Sequence, residues 1–239
     1  METEFKDKGW RMAPRHHVVI TGTGRTGTTF LIELLTHLGI NTGFRPEDLS
    51  RLKNDVARAG LEYDIREPSA PYLVKNPKFA EYAADVLADA NIVIEHVFIP
   101  MRDLAAAAES RRHVTRSAVA KMPLLKRAKR FFHSRELAGG LWNSSSLKAG
   151  AQEQVLLAHL YQLVLALADA NIPVTLIKYP RLVHDGSYLY SKLKPILNNI
   201  TEEDFLRVYN VVAQPDLVHK FSDTDQWSGH SSTRSSKAA

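Results

Sequence analysis

Cysteine is absent from all 239 residues. Disulfide bridges and cysteine-ligated metal sites are therefore excluded, and no other metal-ligand spacing is present, so we expect no metal. Long apolar runs are missing too: none approaches the roughly 20 residues that a membrane-spanning helix needs. Residues 1–8 also lack the apolar core of a signal peptide, and we therefore expect a cytoplasmic protein.

Acidic residues are missing from one long segment of an otherwise mixed chain. The whole sequence has 31 basic and 26 acidic residues. Residues 111–135, however, hold nine basic residues and no Asp or Glu: Arg111, Arg112, Arg116, Lys121, Lys126, Arg127, Lys129, Arg130 and Arg135. A single basic segment indicates that an anionic partner binds locally, whereas a nucleic-acid-binding protein is typically basic over a larger surface. We therefore expect no nucleic acid partner.

This basic segment is predicted to be a helical insertion at about 111–150. Its apolar residues fall on one helical face: Leu124, Leu125, Ala128, Phe131 and Phe132. Its charged residues fall on the other: Lys126, Arg127, Lys129 and Arg130. Three interpretations remain open: a helix that lies on an anionic membrane surface, a lid that binds an anionic acceptor, or a surface helix packed on the domain.

Alternating strand and helix patterns predict the fold class. The predicted strands are 17–22, 72–75, 95–100 and 173–178, and the predicted helices are 27–38, 47–60, 78–90, 103–116, 151–169, 187–199 and 202–211. This order is typical of a three-layer α/β fold with a central parallel sheet flanked by helices. The hydrophobic content of 44% supports one domain over 1–221, and the small polar residues 222–239 predict a disordered tail.

The most informative segment joins the first strand to the first helix. Glycines at 22, 24 and 27 lie between a β-branched strand and an apolar-periodic helix, a pattern that cradles phosphate with backbone N–H groups. Gly22, Gly27 and Thr29 fit the triphosphatase pattern G-x-x-x-x-G-K-[ST], but Thr28 replaces its lysine. The cation of the loop is Arg25, inside the turn. This displacement argues against ordinary ATP or GTP chemistry.

The run Gly24-Arg-Thr-Gly-Thr-Thr29 resembles the P-loop of bacterial sulfotransferases that use 3′-phosphoadenosine-5′-phosphosulfate (PAPS). A second match is Arg102, at a strand end, followed eight residues later by Ser110. It resembles the family's motif for the 3′-phosphate of the nucleotide, although Leu104 stands where proline is usual. An arginine fork and a hydroxyl two helical turns away can bind one phosphate together.

Two weaker matches follow the same order along the chain. Leu73-Val-Lys75-Asn-Pro77 resembles the family strand that carries a lysine and a proline. Tyr179-Pro-Arg-Leu182 resembles the late Tyr-x-x-Leu motif, but Pro180 and Arg181 replace its two acidic residues. We therefore expect Tyr179 to be architectural. Together, the four matches span residues 17–183.

The resemblance implies roles for individual residues. Arg25 would stabilise the leaving oxygen, Lys75 would contact the sulfuryl oxygens, and Glu62 is the candidate general base. The expected cofactor-binding residues are Gly24, Arg25, Thr26, Gly27, Thr28, Thr29, Arg102 and Ser110. The cofactor would be PAPS, with adenosine 3′,5′-bisphosphate as product and no metal.

The general base is the least determined part of this prediction. Glu62 lies shortly before the second strand, and Glu47, Asp48 and Asp64 are its rivals. Each of these four acids also has an ordinary interpretation as a solvated surface group. The histidines beside strands or within an apolar helix, His17, His96 and His159, are expected to be structural.

Three functions follow from these patterns. The first is sulfuryl transfer from PAPS to a hydroxyl acceptor, a carbohydrate or another small molecule. The second is a small-molecule kinase with an altered phosphate loop. The third is a non-catalytic nucleotide-binding or membrane-associated protein, for which residues 111–135 would hold the chain at the inner face of the membrane. Acceptor identity is not specified, because segments 43–71 and 111–150 carry no recognised motif.

Overall fold

The computed structural model describes residues 13–53, 59–121, 139–142 and 147–225. These residues form a parallel four-stranded sheet of order β2-β1-β3-β4. The strands are β1 (Arg15–Ile20), β2 (Leu73–Lys75), β3 (Ile92–Met101) and β4 (Val174–Lys178). The predicted α/β class with a central parallel sheet is confirmed.

The helices of the described residues connect the strands and follow the last one. They are α1 (Thr28–His37), α2 (Leu49–Leu52), α3 (Ala83–Ala88), α4 (Leu104–Ala120), α5 (Ala151–Asp169), α6 (Arg181–His184), α7 (Gly186–Leu197) and α8 (Glu202–Val212). Short 3₁₀ turns cover Pro46–Asp48, Phe79–Glu81, Pro215–Leu217 and Asp223–Asp225. The bounds of α5 are those predicted from its apolar periodicity.

Helices cover both faces of the sheet, and the alternation along β1 shows why. Val18 and Ile20 pack in a core with residues of α1, α7 and α8. Val19, which points to the opposite face, packs in a second core with residues of α3 and α5. All three side chains are fully buried, as expected for a central strand of a parallel sheet.

The predicted helix over 47–60 is largely wrong. The described part contains only the turn Pro46–Asp48 and the four residues of α2. Residues 54–58 lie outside the described residues, and Gly60 (φ +135°) and Leu61 (φ +62°) are in left-handed backbone that no α-helix continues through. The second strand is instead approached through an irregular segment, which brings Glu62 to the sheet.

The predicted boundary of the tail at 222 is also corrected. Asp225 is 1% exposed and forms an ion pair with Arg102, so the packed chain extends to at least 225. Asp225 and Arg102 are 123 positions apart, so no local sequence pattern predicts their contact. The small polar residues around Asp225 instead suggest a disordered tail. Residues 226–239 lie outside the described part.

The start of the basic segment belongs to α4, which runs on to Ala120. Arg111 and Arg112 are each 5% exposed, and Arg112 pairs with Glu109 and Glu153. Arg116 also pairs with Glu109. Arg111 and Arg112 are therefore buried in the packed domain and Arg116 is paired at its surface, which the sequence interpretation of 111–135 as one segment did not anticipate.

The rest of the basic insertion is only partly described. Residues 122–138 and 143–146, which include the two faces predicted for the basic helix, lie outside the described residues. No helix among the residues that are described is long and apolar enough to cross a membrane.

Candidate functional site

A cavity of about 1050 Å³ opens at the carboxyl ends of the strands. Each strand delivers one part of its wall: the loop after β1, Lys75 at the end of β2, Arg102 after β3 and Tyr179 after β4. Parallel α/β sheets bind their ligands at this edge, because loops from neighbouring strands converge there. The sheet topology therefore brings the predicted site residues together.

The loop after β1 has unusual backbone geometry. Its φ angles are positive at Gly22 (+128°), Gly24 (+65°), Arg25 (+58°) and Gly27 (+82°). Gly27 precedes α1, whose first turn has no side-chain cap and no acidic residue. The N–H groups of the first helical turn therefore lack intrahelical partners and can meet an anion, as expected of a phosphate-binding turn.

Arg111 holds this loop from the side of α4. Its Nε and Nη2 donate to the carbonyl oxygen of Thr23 at 3.1 and 2.6 Å, and its Nη1 donates to that of Gly140 at 2.6 Å. A Cβ placed on Gly24 would lie 2.5 Å from Arg111 Nη2. Glycine at 24 is therefore required both by its positive φ and by the close approach of this guanidinium.

Arg25 and Ser110, predicted to act on the same ligand, are in direct contact. Arg25 Nε donates to Ser110 Oγ at 3.2 Å, and both residues line the cavity. Burial lowers the pKa of Arg25, and the positive charge of Arg102 acts in the same direction. An anion in the cavity would relieve both effects, because it compensates the charge that burial penalises.

Lys75 and Glu62 form a second pair at the end of β2. Lys75 Nζ donates to Glu62 Oε1 at 2.6 Å, to the carbonyl oxygen of Gly60 at 2.5 Å and to Thr29 Oγ1 at 3.3 Å. Its side chain is 1% exposed, against 38% for Glu62. Burial lowers the pKa of Lys75, and the Glu62 carboxylate opposes that shift. The lysine thus ties the glutamate to Thr29, at the start of α1.

Arg102 lies where the sequence predicts it, but its partners are unexpected. Its Nε donates to Asp225 Oδ1 at 2.9 Å, and its Nη2 donates to Asp225 Oδ2 at 2.6 Å. Nη2 also donates to the carbonyl oxygen of His219 at 2.9 Å, and Nη1 donates to that of Arg25 at 3.0 Å. These bonds use four of the five N–H donors of the guanidinium.

The remaining predicted binding residues differ in whether they line the cavity. Gly24, Gly27, Thr28 and Thr29 line it. Thr26 is fully buried and does not line it, so this predicted binding residue is not found at the cavity wall.

The rivals of Glu62 are placed less favourably. Asp48 pairs with Arg51 at 2.9 Å, and Asp64 accepts two hydrogen bonds from the Arg66 guanidinium at 2.9 and 2.6 Å. Neither acid lines the cavity, and the exposed Glu47 does not line it either. Glu62 is therefore the best placed of the four predicted candidates.

The three histidines expected to be structural have structural contacts. His17 Nδ1 lies 2.7 Å from the carbonyl oxygen of Pro71, and His96 Nε2 lies 2.8 Å from Thr175 Oγ1. His159 stacks on the ring of Trp142 at a centroid distance of 4.4 Å. None of the three lines the cavity.

Sequence reasoning missed several residues of the site. Arg111 directly follows Ser110, and this adjacency was the available signal, but its charge was assigned to the basic segment. Glu33, on α1 one turn after Thr29, lines the cavity and pairs with Lys53 at 2.9 Å. The position of Glu33, four residues after Thr29 on the same helix, is a sequence signal that could have identified it. No sequence pattern near Asp225 indicates a contact with the cavity.

The charge of the cavity wall favours an anionic ligand. Its basic residues are Arg25, Lys53, Lys75, Lys78, Arg102 and Arg111, and its acidic residues are Glu33 and Glu62. A concave wall with this excess of positive charge concentrates anions. Within the described ranges, no group of three or more His, Asp or Glu side chains is arranged to hold a metal ion.

Replacing Gly24 by alanine tests the role of Arg111. We expect Gly24→Ala to lower the free energy of unfolding by about 2–4 kcal/mol, from left-handed strain and displacement of the guanidinium. Gly39→Ala is the matched control, because Gly39 has a similar φ (+81°) with nothing within 4 Å of its added Cβ. Urea unfolding measures both. Equal losses would mean that Arg111 does not constrain the loop.

Comparisons with known proteins assign this chain to no family. The chain matches no protein-family model. No curated protein is similar enough to count as a match either. Any functional conclusion therefore depends on the residues of the cavity and their chemistry.

Proposed function

We propose that this protein is a sulfotransferase of the P-loop type, which moves a sulfuryl group from PAPS to a hydroxyl acceptor in the cytoplasm. The observation that carries the proposal is the contact between the Lys75 ammonium and the hydroxyl of Thr29. In P-loop triphosphatases, the hydroxyl at this loop position binds Mg²⁺. Here the Lys75 ammonium contacts the corresponding hydroxyl, which suits transfer from a donor with a single phosphate at the loop.

The loop and Arg25 suit the 5′-phosphosulfate end of the donor. The N–H groups at the start of α1 would bind the 5′-phosphate, and the Arg25 side chain lies beside them at the cavity wall. Charge develops on the bridging oxygen as the sulfur–oxygen bond breaks. Fixed donors in a partly buried site stabilise such charge strongly.

Ser110 and Arg102 suit the second phosphate of the same nucleotide. Ser110 contacts Arg25, and Arg102 contacts the carbonyl oxygen of Arg25, so both lie next to the loop. A nucleotide bound at the loop would thus present its 3′-phosphate to a hydroxyl and a guanidinium. A kinase does not need this second anion site, and the specific arrangement favours a nucleotide with two separate phosphate groups.

Glu62 would act as the general base on the acceptor hydroxyl. As the acceptor oxygen forms its bond to sulfur, the bond between sulfur and the bridging oxygen breaks. The hydroxyl proton passes to the Glu62 carboxylate, and the electron pair of the broken bond stays on the phosphate of the leaving adenosine 3′,5′-bisphosphate. Lys75 fixes the carboxylate at 2.6 Å, and its ammonium lies close enough to the loop to stabilise sulfuryl oxygens.

The acceptor would lie on the side of the cavity that holds Glu62. Glu33, Ser50 and Lys53 line this part of the wall together with Glu62 and Lys75. Each carboxylate there is paired with a lysine, so the wall is polar with balanced charge. Such a wall suits an uncharged acceptor with several hydroxyl groups, of which a carbohydrate is the common example.

The alternatives have weaker support. A small-molecule kinase would need a cation for its β- and γ-phosphates at position 28, which is threonine. A non-catalytic membrane-associated protein would depend on the basic insertion, whose helical faces lie outside the described residues. The membrane-associated alternative has no use for the Lys75–Glu62 pair beside the loop.

Thermal unfolding with nucleotides distinguishes a site for adenosine 3′,5′-bisphosphate from a kinase site and from a scaffold that binds no nucleotide. Adenosine 3′,5′-bisphosphate should raise the Tm in the absence of divalent metal, because it binds only the folded protein. ATP with Mg²⁺ should raise it less. A larger shift with ATP and Mg²⁺ would support the kinase, and no shift with either nucleotide would contradict any nucleotide-binding function.

Removing the Arg25 side chain should impair turnover. Arg25→Ala is expected to lower kcat about 10²- to 10³-fold, the effect of losing one donor to developing negative charge. Transfer of labelled sulfuryl groups to an acceptor accepted by the wild type measures it. Arg66→Ala is the control, because Arg66 is exposed and does not line the cavity. A normal kcat in Arg25→Ala would remove this residue from the chemistry.

Glu62→Gln tests the assignment of the base. The amide keeps a hydrogen-bond acceptor for Lys75 but cannot take the proton, so kcat should fall about 10²- to 10⁴-fold. The Kd for adenosine 3′,5′-bisphosphate should change little. Asp64→Asn, which alters a rival acid outside the cavity wall, should keep its activity. The assignment fails if Asp64→Asn loses activity and Glu62→Gln does not.

A further inference from the structure

The chain after α8 returns to the cavity and reaches Arg102. Leu217, Val218 and His219 line the cavity, and the turn Asp223–Asp225 follows. The Phe221 ring lies 5.4 Å from the Arg102 guanidinium, and the Phe221 N–H donates to Asp225 Oδ2 at 2.9 Å. This returning segment, residues 213–225, therefore contacts the side chain suited to the second phosphate.

The Asp225 carboxylate binds Arg102 as a phosphate would. Its two oxygens accept from Nε and Nη2 at 2.9 and 2.6 Å, a bidentate geometry that carboxylates and phosphates share. The side chains of the pair are 2% and 1% exposed. Burial alone would favour the neutral acid, but the bonds from Arg102 and the Phe221 N–H keep the pKa of Asp225 below its ordinary value.

The second fork of the guanidinium is also engaged. A ligand can approach an arginine end-on through Nη1 and Nη2, as well as side-on through Nε and Nη2. Nη2 gives its second N–H to the carbonyl oxygen of His219, and Nη1 gives one to that of Arg25. A carboxylate that only oriented Arg102 would leave one of these two pairs of N–H donors available to the ligand. Here the returning segment uses Nη2 completely.

We propose that Asp225 is an internal competitor of the ligand's second phosphate, and that segment 213–225 is a latch over this end of the cavity. The inference rests on the proposed function, since it takes Arg102 as the site of the 3′-phosphate. In the latched form the carboxylate occupies the arginine. In the ligand-bound form the phosphate replaces it, and the segment moves away because two anions repel each other in a buried site.

The latch has a consequence for selectivity. A nucleotide with only a 5′-phosphate binds at the loop and does not displace Asp225. A nucleotide with a 3′-phosphate must release the latch, so its apparent affinity is reduced by the fraction of protein that is latched. Removing the charge of Asp225 should therefore strengthen the binding of one nucleotide and not of the other.

The test compares Asp225→Asn with the wild type by isothermal titration calorimetry. The Kd for adenosine 3′,5′-bisphosphate should fall roughly tenfold, the factor for a latch that is closed in about nine-tenths of the free protein. The Kd for adenosine 5′-monophosphate should stay within about twofold. Asp223→Asn, an exposed acid of the same turn, is the matched control and should bind both nucleotides as the wild type does.

The outcomes separate the latch from the proposed function. If the wild type binds adenosine 3′,5′-bisphosphate and Asp225→Asn binds it equally or more weakly, Asp225 positions Arg102 and the latch is wrong. If neither protein binds that nucleotide, the proposed function fails and the latch fails with it.

A measurement on the wild type covers the case in which Asp225→Asn does not fold. Adenosine 3′,5′-bisphosphate should speed amide hydrogen exchange in residues 217–225, since the released segment loses its protection. Adenosine 5′-monophosphate should leave that exchange unchanged. Slower exchange with the bisphosphate would overturn the latch.

Discussion

The site depends on the loop after β1, in which two consecutive residues are held in the left-handed backbone conformation. Gly24 and Arg25 both have positive φ, and arginine adopts this conformation only where its surroundings enforce it. Arg111 supplies much of that enforcement through its bonds to the Thr23 carbonyl oxygen. Because the loop passes from β1 directly into α1, this constraint aims the N–H groups of the helix start at the cavity.

Positive charge concentrated in a partly buried cavity must be compensated before a ligand arrives. Three carboxylates do this: Glu33 on Lys53, Glu62 on Lys75 and Asp225 on Arg102. Breaking the buried Arg102–Asp225 pair would leave the arginine charge buried without its partner, an effect that costs about 3–5 kcal/mol in other proteins. Glu62 and Asp225 differ in exposure: the Glu62 side chain lines the cavity and is 38% exposed, whereas that of Asp225 is 1% exposed and enclosed with its arginine.

The features that the sequence predicts well are local in the chain. The glycine-rich turn after β1 and the bounds of α5 follow from glycine spacing and from apolar periodicity, and both signals lie within about 20 residues. The placement of Lys75 and Arg102 at one edge follows from the topology of parallel strands. Features that depend on distant partners could not be predicted. Asp225 lies 123 residues from Arg102, and the charge of Arg111 alone does not reveal that it holds a loop. The helix expected over 47–60 failed because the tertiary path to β2 overrides local propensity.

The central claim is that the loop and the residues around it form the binding site of a nucleotide with two separate phosphates. A crystal structure of the protein with adenosine 3′,5′-bisphosphate tests it most directly. We predict the 5′-phosphate within hydrogen-bonding distance of the N–H groups of Thr28 and Thr29, and the 3′-phosphate on Ser110 and Arg102. A nucleotide bound outside this cavity, or inside it with neither phosphate at the loop, would contradict the claim.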